Sequence, residues 1–340
     1  MSEPKSYTIE LDHAQQRPPL AEPSSATIPA SLPDAKHHHT HAAFPVTGKV
    51  KHDDPTELSI YFVGTATTIF EHRDFRIMTD PNFLHAGDHV HLGPGVTAQR
   101  KTNPAVSMDE LPSIDAILLS HFHEDHFDKE VQKRLRKDLP IVTTLEAYKP
   151  LAELGFSQVT GLSTWESALL KFKTQESPKL SMKVVSTPGK HVAGPIIEAL
   201  NDFMAAVPPT TGFVLEFLWD NKPETDAAFR IYISGDTLLV KDLEEIPKRY
   251  PDIDVLIVHL GGTTIPGPHL PLLMVTMDAK QGIKLVQLIK PKVTLPIHFD
   301  DYDVFLSPLE DFKKEMTDAG LADKVVYMDR GERFDFSIRS

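Results

Sequence analysis

The sequence predicts a layered α/β architecture. Apolar runs of strand length alternate with helical segments from Leu58 to the end of the chain. Several of those runs stop at a His or an Asp, as expected where strand ends converge on one rim of such a fold. The composition, 41% hydrophobic and 24% charged over 340 residues, is that of an ordinary globular chain.

Composition also divides the chain. Residues 1–56 are rich in Pro, Ala, Ser and His, lack sustained periodicity, and read as an extended or partly disordered arm. Within it, Lys36-His37-His38-His39-Thr40-His41 offers imidazoles that nothing holds in place, so only incidental metal binding is expected there. Residues 57–340 show no second break and read as one domain. No run approaches the roughly 18 apolar residues of a membrane span. The start lacks the basic-then-apolar pattern of a secretory signal, so a cytoplasmic location is expected. Cys is absent, which removes disulfides, thiolate ligands and Cys nucleophiles together. Any metal must then rest on His, Asp or Glu. A net charge of -13 argues against a nucleic-acid partner, and the one dense basic run, Lys133-Arg134-Leu135-Arg136-Lys137, reads as a solvated helix face.

From Leu58 onward the elements follow in order. Leu58–Val63, Thr67–Phe70 and Phe75–Thr79 read as strands, the last ending at Asp80-Pro81. Asn82 to Asn103 is a long Gly- and Pro-containing loop with His85, His89 and His91. After the strand Ala116–Leu119, Asp128 caps a helix to Lys137, and Leu145–Leu154 is a second helix closed by Gly155. Ile141–Thr143, Ala168–Phe172 and Met182–Val185 are strands, the last leading to Thr187-Pro188-Gly189-Lys190-His191. Val192–Gly212 has apolar residues at helical spacing and reads either as a core helix or as a flap over a pocket. Phe213–Leu218, Phe229–Ser234, Ile253–Val258 and Val293–Ile297 are further strands; Gly235-Asp236, His259 and His298 sit at the ends of the last three. Asp278 with Gln281, and Ser307 with Glu310, read as capping boxes for two helices. Val325–Met328 and Glu332–Ile338 read as a terminal strand pair.

The densest chemistry lies at His121-Phe122-His123-Glu124-Asp125-His126. Strand alternation allows His121 and His123 to share a face, and a following turn brings Asp125 and His126 to a second point. Imidazole suits zinc, and an adjacent carboxylate can hold or orient a bound water. Gathering the polar residues past strand ends adds Asp80, His191, Asp236, His259 and His298.

The set H-x-H-x-D-H, T-P-G-x-H, S-G-D and a late strand ending in His, taken in this order, resembles the metallo-β-lactamase superfamily over about residues 57–337. The resemblance implies an αββα sandwich with its site at one edge, and a catalytic domain spanning 57–340. It implies two divalent ions, most simply Zn2+, with Mn2+ or Fe2+ as alternatives. His121, His123 and His191 would hold one; Asp125, His126 and His298 the other; Asp236 would bridge them, and Asp80 would support the ligands from behind. His123 stands where flavodiiron-like members carry an acid, and the basic exosite of the tRNA 3′-processing nucleases is not found. Gly64-Thr65-Ala66, Asp80-Pro81 and Pro296-Ile297-His298-Phe299-Asp300 look most similar to the branch of ascorbate-phosphate lactonase-like proteins and N-acyl-phosphatidylethanolamine phospholipase D enzymes.

The expected chemistry is attack by a hydroxide shared between two metals on a small-molecule lactone, lactam or ester. Asp125 is expected to orient the nucleophile, His259 to protonate the leaving group, and Asp301 and Tyr302 to line the substrate pocket. The alternatives are a lipid-processing phosphodiesterase and a non-catalytic metal-binding protein that keeps the fold.

Overall fold

Strand after strand in this chain is apolar on both faces, which requires cover on both sides of every sheet. The computed structural model describes residues 4–12, 57–73, 75–93, 96–173, 178–192, 207–267 and 270–338. In chain order the first strands are β1 (Ser6–Asp12), β2 (Glu57–Gly64), β3 (Thr67–His72), β4 (Phe75–Thr79), β5 (His89–His91), β6 (Thr97–Gln99) and β7 (Ala116–Leu118). Next come α1 (Lys129–Arg134), β8 (Ile141–Thr144), α2 (Leu145–Glu153), β9 (Val159–Leu162), β10 (Ser167–Lys173), β11 (Leu180–Thr187), β12 (Gly212–Trp219) and β13 (Phe229–Ile233). The chain closes with α3 (Ile246–Arg249), β14 (Val255–His259), β15 (Gly261–Gly267), β16 (Leu270–Met274), α4 (Ala279–Ile289), β17 (Val293–Ile297), β18 (Phe305–Ser307), α5 (Leu309–Asp318) and β19 (Arg333–Ser337).

Two seven-stranded sheets result, ordered β19-β2-β3-β4-β7-β8-β9 and β1-β10-β11-β12-β13-β14-β17. Alternation sorts the side chains. Leu58, Ile60, Phe62, Ile77 and Leu118 face the core between the sheets, where they meet Leu170, Val184, Leu215, Ile231 and Ile257. Tyr61, Val63, Met78 and Ile117 face outward, under Val131 of α1 and Ala147 and Leu151 of α2. On the far side, Val214, Tyr232, Leu256 and Val258 lie under Ile283 and Val286 of α4 and Phe312 and Met316 of α5. The layering is αββα, as the resemblance implies.

Topology brings the strand ends together. β13, β14 and β17 are parallel, and β11 points with β13 because each is antiparallel to β12. β4, β7 and β8 are parallel in the other sheet. Two backbone hydrogen bonds, Thr211 N to Ser120 O (3.0 Å) and His298 N to Thr65 O (3.0 Å), join the two rims.

Several expectations are corrected. Ser6–Asp12, read as part of the arm, is a parallel partner of β10 and lengthens that sheet. The Asn82–Asn103 loop contains the hairpin β5–β6. Beyond His259 the chain forms a further strand that the sequence reading did not include: Gly261 starts β15, which pairs with β16 and β18. Ser307 does not cap α5, whose N-cap is Pro308; its Oγ accepts from Ala279 N (3.0 Å) at the start of α4 instead. Val325–Met328 is not a strand, and only β19 forms. The Lys36–His41 cluster and most of the proposed 192–212 helix lie outside the described residues.

The Asp278 cap is present: its carboxylate accepts from Gln281 N at 2.8 Å. Asp278→Ala is expected to cost about 1 kcal/mol, measured by urea unfolding.

Candidate metal centre

β7 ends at Leu118, so His121 and His123 are placed by a turn and not by strand alternation. His126 N (3.1 Å) and Phe127 N (2.7 Å) both donate to His123 O and close that turn. It brings His121 Nε2 to 3.0 Å from His123 Nδ1. Two nitrogens at about 2.0–2.1 Å from one zinc lie about 3.3 Å apart in a tetrahedral site, so the spacing suits a shared ion. His191, delivered by the turn after β11, completes a group whose ligand atoms all lie within 4.8 Å of one another. A second group at the same limit consists of Asp125, His126, Asp236 and His298.

His191 and His298 are set with one nitrogen occupied and the other bare. His191 Nδ1 faces Val275 O (3.1 Å) and His298 Nδ1 faces Leu260 O (3.2 Å). A carbonyl only accepts, so in the neutral ring the proton sits on Nδ1 and the lone pair on Nε2. Both Nε2 atoms are buried without a hydrogen-bond partner, as is Asp125 Oδ1. Such orphans are costly unless something binds them. Asp236 is held from two sides: His259 Nδ1 lies 3.0 Å from Oδ1, and Thr276 Oγ1 donates to Oδ2 at 2.9 Å. Asp80 accepts from Ser120 N (2.7 Å) and faces His126 Nδ1 (3.3 Å), so it stands behind His126. Asp80 (φ 35°) and His298 (φ 61°) adopt left-handed backbone that non-glycine residues rarely take, and such strain gathers at functional sites.

Electrostatics separate the two groups. Burial, reinforced by His126, His191 and His123, pushes His121 well below the usual imidazole range. Burial lowers His123 to about 4 and also lowers His191. Their surroundings favour the neutral imidazole, the form that can coordinate a metal. Burial opposes charge on His126, but Asp236, Asp125 and Asp80 outweigh it and raise its pKa well above normal. His298 is raised likewise, burial losing to Asp236 and Asp125. Burial pushes Asp236 up, yet His298 and His126 hold it well below the carboxylate range. Three buried carboxylates, Asp80, Asp125 and Asp236, thus converge on a point that demands positive charge.

Above the centre lies a cleft floored by His123, Asp125, His191 and Asp236 and walled by Leu92, Val207, Thr263, Ile265 and Val275. Three expected site residues lie elsewhere. His259 is fully buried beneath Asp236 and does not line the cleft, so it is not placed to reach a leaving group. Asp301 (0% exposed) and Tyr302 (1% exposed) are also below the site. Asp301 pairs with Arg100 (3.1 Å) and Arg330 (2.9 Å), and Tyr302 Oη accepts from Asn82 Nδ2 at 2.7 Å. Sequence reasoning missed Asn82, Ser120, Thr276 and Arg100. Asn82 and Ser120 adjoin motif residues and carried that signal; Arg100, between Gln99 and Lys101, looks like any surface cation.

Residues 76–299 match the family model described as the beta-lactamase superfamily domain. The chain is 21% identical over 278 residues to a metal-dependent hydrolase of Nanoarchaeum equitans, covering 82% of this chain and 100% of that protein. It is 26% identical over 254 residues to a metal-dependent hydrolase of Archaeoglobus fulgidus, covering 75% and 94%. Among solved structures it is similar in fold to an isothiocyanate hydrolase from Delia radicum gut bacteria, with a TM-score of 0.65, 19% identity, and coverage of 82% and 99%. With two sheets between helices, His and Asp groups gathered at one rim, and a family match over most of its length, this chain belongs to the beta-lactamase superfamily.

Proposed function

We propose that this protein is a metal-dependent hydrolase with two divalent ions, Zn2+ by ligand type, acting on a small lactone, lactam or ester. His121, His123 and His191 would hold one ion, and Asp125, His126 and His298 the other, with Asp236 between them. The observation that carries this reading is the set of bare, buried Nε2 atoms beside three buried carboxylates. Divalent ions at such a centre supply a Lewis acid and bring the pKa of coordinated water down to about 7.

The protein's own groups do the rest. Asp125 borders the cleft, where its carboxylate would orient the attacking water. His259, through Nδ1, and Thr276 fix the carboxylate plane of Asp236. Leu92, Val207, Ile265 and Val275 exclude water and suit an uncharged substrate. Among the described lining residues there is no Lys or Arg to neutralise a phosphodiester, which disfavours the phospholipase D-like alternative.

The two groups should respond differently to acid, because protons compete with metal for the same nitrogens. The three-histidine group, with His123 near 4, is expected to keep its zinc affinity below the ordinary imidazole pKa of about 6.5. The Asp/His group, where His126 and His298 hold protons above that range, should weaken as pH falls from neutrality. Stepwise zinc competition at several pH values measures this; both steps failing together near about 6.5 would contradict it. For the reaction, the metal-loaded protein should turn over at least one member of a panel of lactones, lactams and esters. Turnover of bis-p-nitrophenyl phosphate alone would overturn the carbonyl assignment.

A further inference from the structure

Below the centre, on the side away from the cleft, lies a buried charge cluster that the proposed reaction does not use. Arg100 is 1% exposed and Asp301 0%. Arg100 reaches this position because the β5–β6 hairpin folds back over Tyr302 and Val304, burying Val90, Leu92 and Ala98 against them. Its guanidinium lies 5.2 Å from the centroid of the Tyr302 ring.

The hydrogen bonds of this arginine lead in two directions. Nη1 donates to Thr65 Oγ1 and to Asn82 Oδ1, the latter at 3.1 Å. Thr65 in turn receives His298 N on its carbonyl at 3.0 Å, while Asp301 Oδ2 accepts from Thr65 N at 3.0 Å. Asn82 passes the link to the other ligand segment: its Nδ2 donates to Asp125 O at 2.9 Å. One guanidinium nitrogen therefore spans the segment carrying Asp125 and His126 and the segment carrying His298. These come from different sheets, and the gap between them is the 3.7 Å from His298 Nε2 to Asp125 Oδ2. The contacts that orient the other group do not run through Arg100, although Ser120 Oγ, which holds His121, also lies 3.4 Å from His126 Nδ1. His121 Nδ1 rests on Ser120 Oγ (2.9 Å) and His191 Nδ1 on Val275 O (3.1 Å).

We propose that Arg100 is a positioning residue that sets the separation of Asp125 and His298, so that the Asp125/His126/His298 metal subsite depends on it and the His121/His123/His191 subsite does not. The proposal rests on the two-metal reading above. A guanidinium is needed because its rigid fork reaches Thr65, Asn82, Asp301 and the carbonyl of Thr102 (2.9 Å) at once. An ammonium at that place keeps the charge opposite Asp301 but cannot hold both ligand segments.

The test is stepwise zinc binding by chelator competition on wild-type protein, Arg100→Lys and Asn82→Ala, with circular dichroism to establish that each is folded. Asn82→Ala leaves the branch to Thr65 and removes the one to Asp125, together with the Asn82 bonds to Glu124 O (3.3 Å) and Tyr302 Oη (2.7 Å), and keeps the result interpretable if Arg100→Lys does not fold. Wild-type protein is expected to take two equivalents. In each variant one step should weaken by about 10–100-fold, the range for residues that orient metal ligands, while the other stays within about threefold. Cobalt substitution gives an independent readout: the spectrum of the first equivalent should be unchanged and that of the second altered. Wild-type protein taking fewer than two equivalents overturns the two-metal reading and the clamp with it. Two equivalents in the wild type, with both steps weakened alike or neither weakened in the folded variants, overturns the clamp alone.

Discussion

Replacing Asp236 by Asn is expected to lower kcat/KM by more than about 100-fold, the upper end of the loss when a group that only orients a metal ligand is removed. Asp236 belongs to the Asp125/His126/His298 group and borders the cleft beside His123 and His191. Its Oδ2 is 3.3 Å from His126 Nε2 and its Oδ1 is 3.5 Å from His298 Nδ1. The amide removes a negative charge from a site where three buried carboxylates face the imidazoles. It also places an N–H donor opposite either His259 Nδ1 or Thr276 Oγ1, both of which now hydrogen-bond to the carboxylate. Zinc content should fall in the same variant while its far-ultraviolet circular dichroism stays native. Wild-type metal content with a wild-type rate would remove Asp236 from the centre.

The second large effect lies one residue earlier. Gly235 has φ +62°, and a Cβ there would stand 2.3 Å from Thr211 O and 3.4 Å from Ser120 Cβ. A backbone oxygen cannot swing aside as a flexible side chain would. Thr211 is itself bonded to Ser120 O at 3.0 Å, next to His121. Gly235→Ala should therefore combine left-handed strain with overpacking and cost about 2–5 kcal/mol. Any folded fraction should have weakened zinc binding, because the shift is passed to both Asp236 and His121. Chemical denaturation with parallel metal analysis checks both parts; a midpoint equal to that of wild type would contradict the crowding argument.

Much of the fold was legible because local pattern and tertiary environment agree. Phe75–Thr79 is a strand with the same bounds in sequence and structure, and the turn after it delivers Asp80 to the rim. The convergence of His121, His123, Asp125, His126, His191, Asp236 and His298 followed from ligand types at strand ends in a particular order. What was missed depends on distant partners. β1 alternates Tyr7, Ile9 and Leu11 with polar residues, but its partner β10 lies far along the chain, and the polar stretch after it masks the signal. Ser307 precedes Pro308 and resembles a cap, yet tertiary packing turns its hydroxyl to α4.

Burial was the other hidden quantity. His259, Asp301 and Tyr302 have the side chains of catalysts and pocket residues, and their sequence positions point to those roles. Each is in fact sealed beneath the ligands by its neighbours. Sequence position places a residue near a rim but does not say on which side of it the cleft opens. The H-x-H-x-D-H stretch shows the same limit. Its histidines do converge, but through a turn closed on His123 O and not through strand alternation.

The central claim is that two buried ligand groups hold two ions, and metal content tests it most directly. Protein purified without added chelator, saturated with zinc and freed of excess, should contain about two ions per chain by inductively coupled plasma mass spectrometry. His121→Ala and His298→Ala should each retain about one, lost from different groups. Wild-type protein that holds fewer than two ions per chain after saturation would contradict the account.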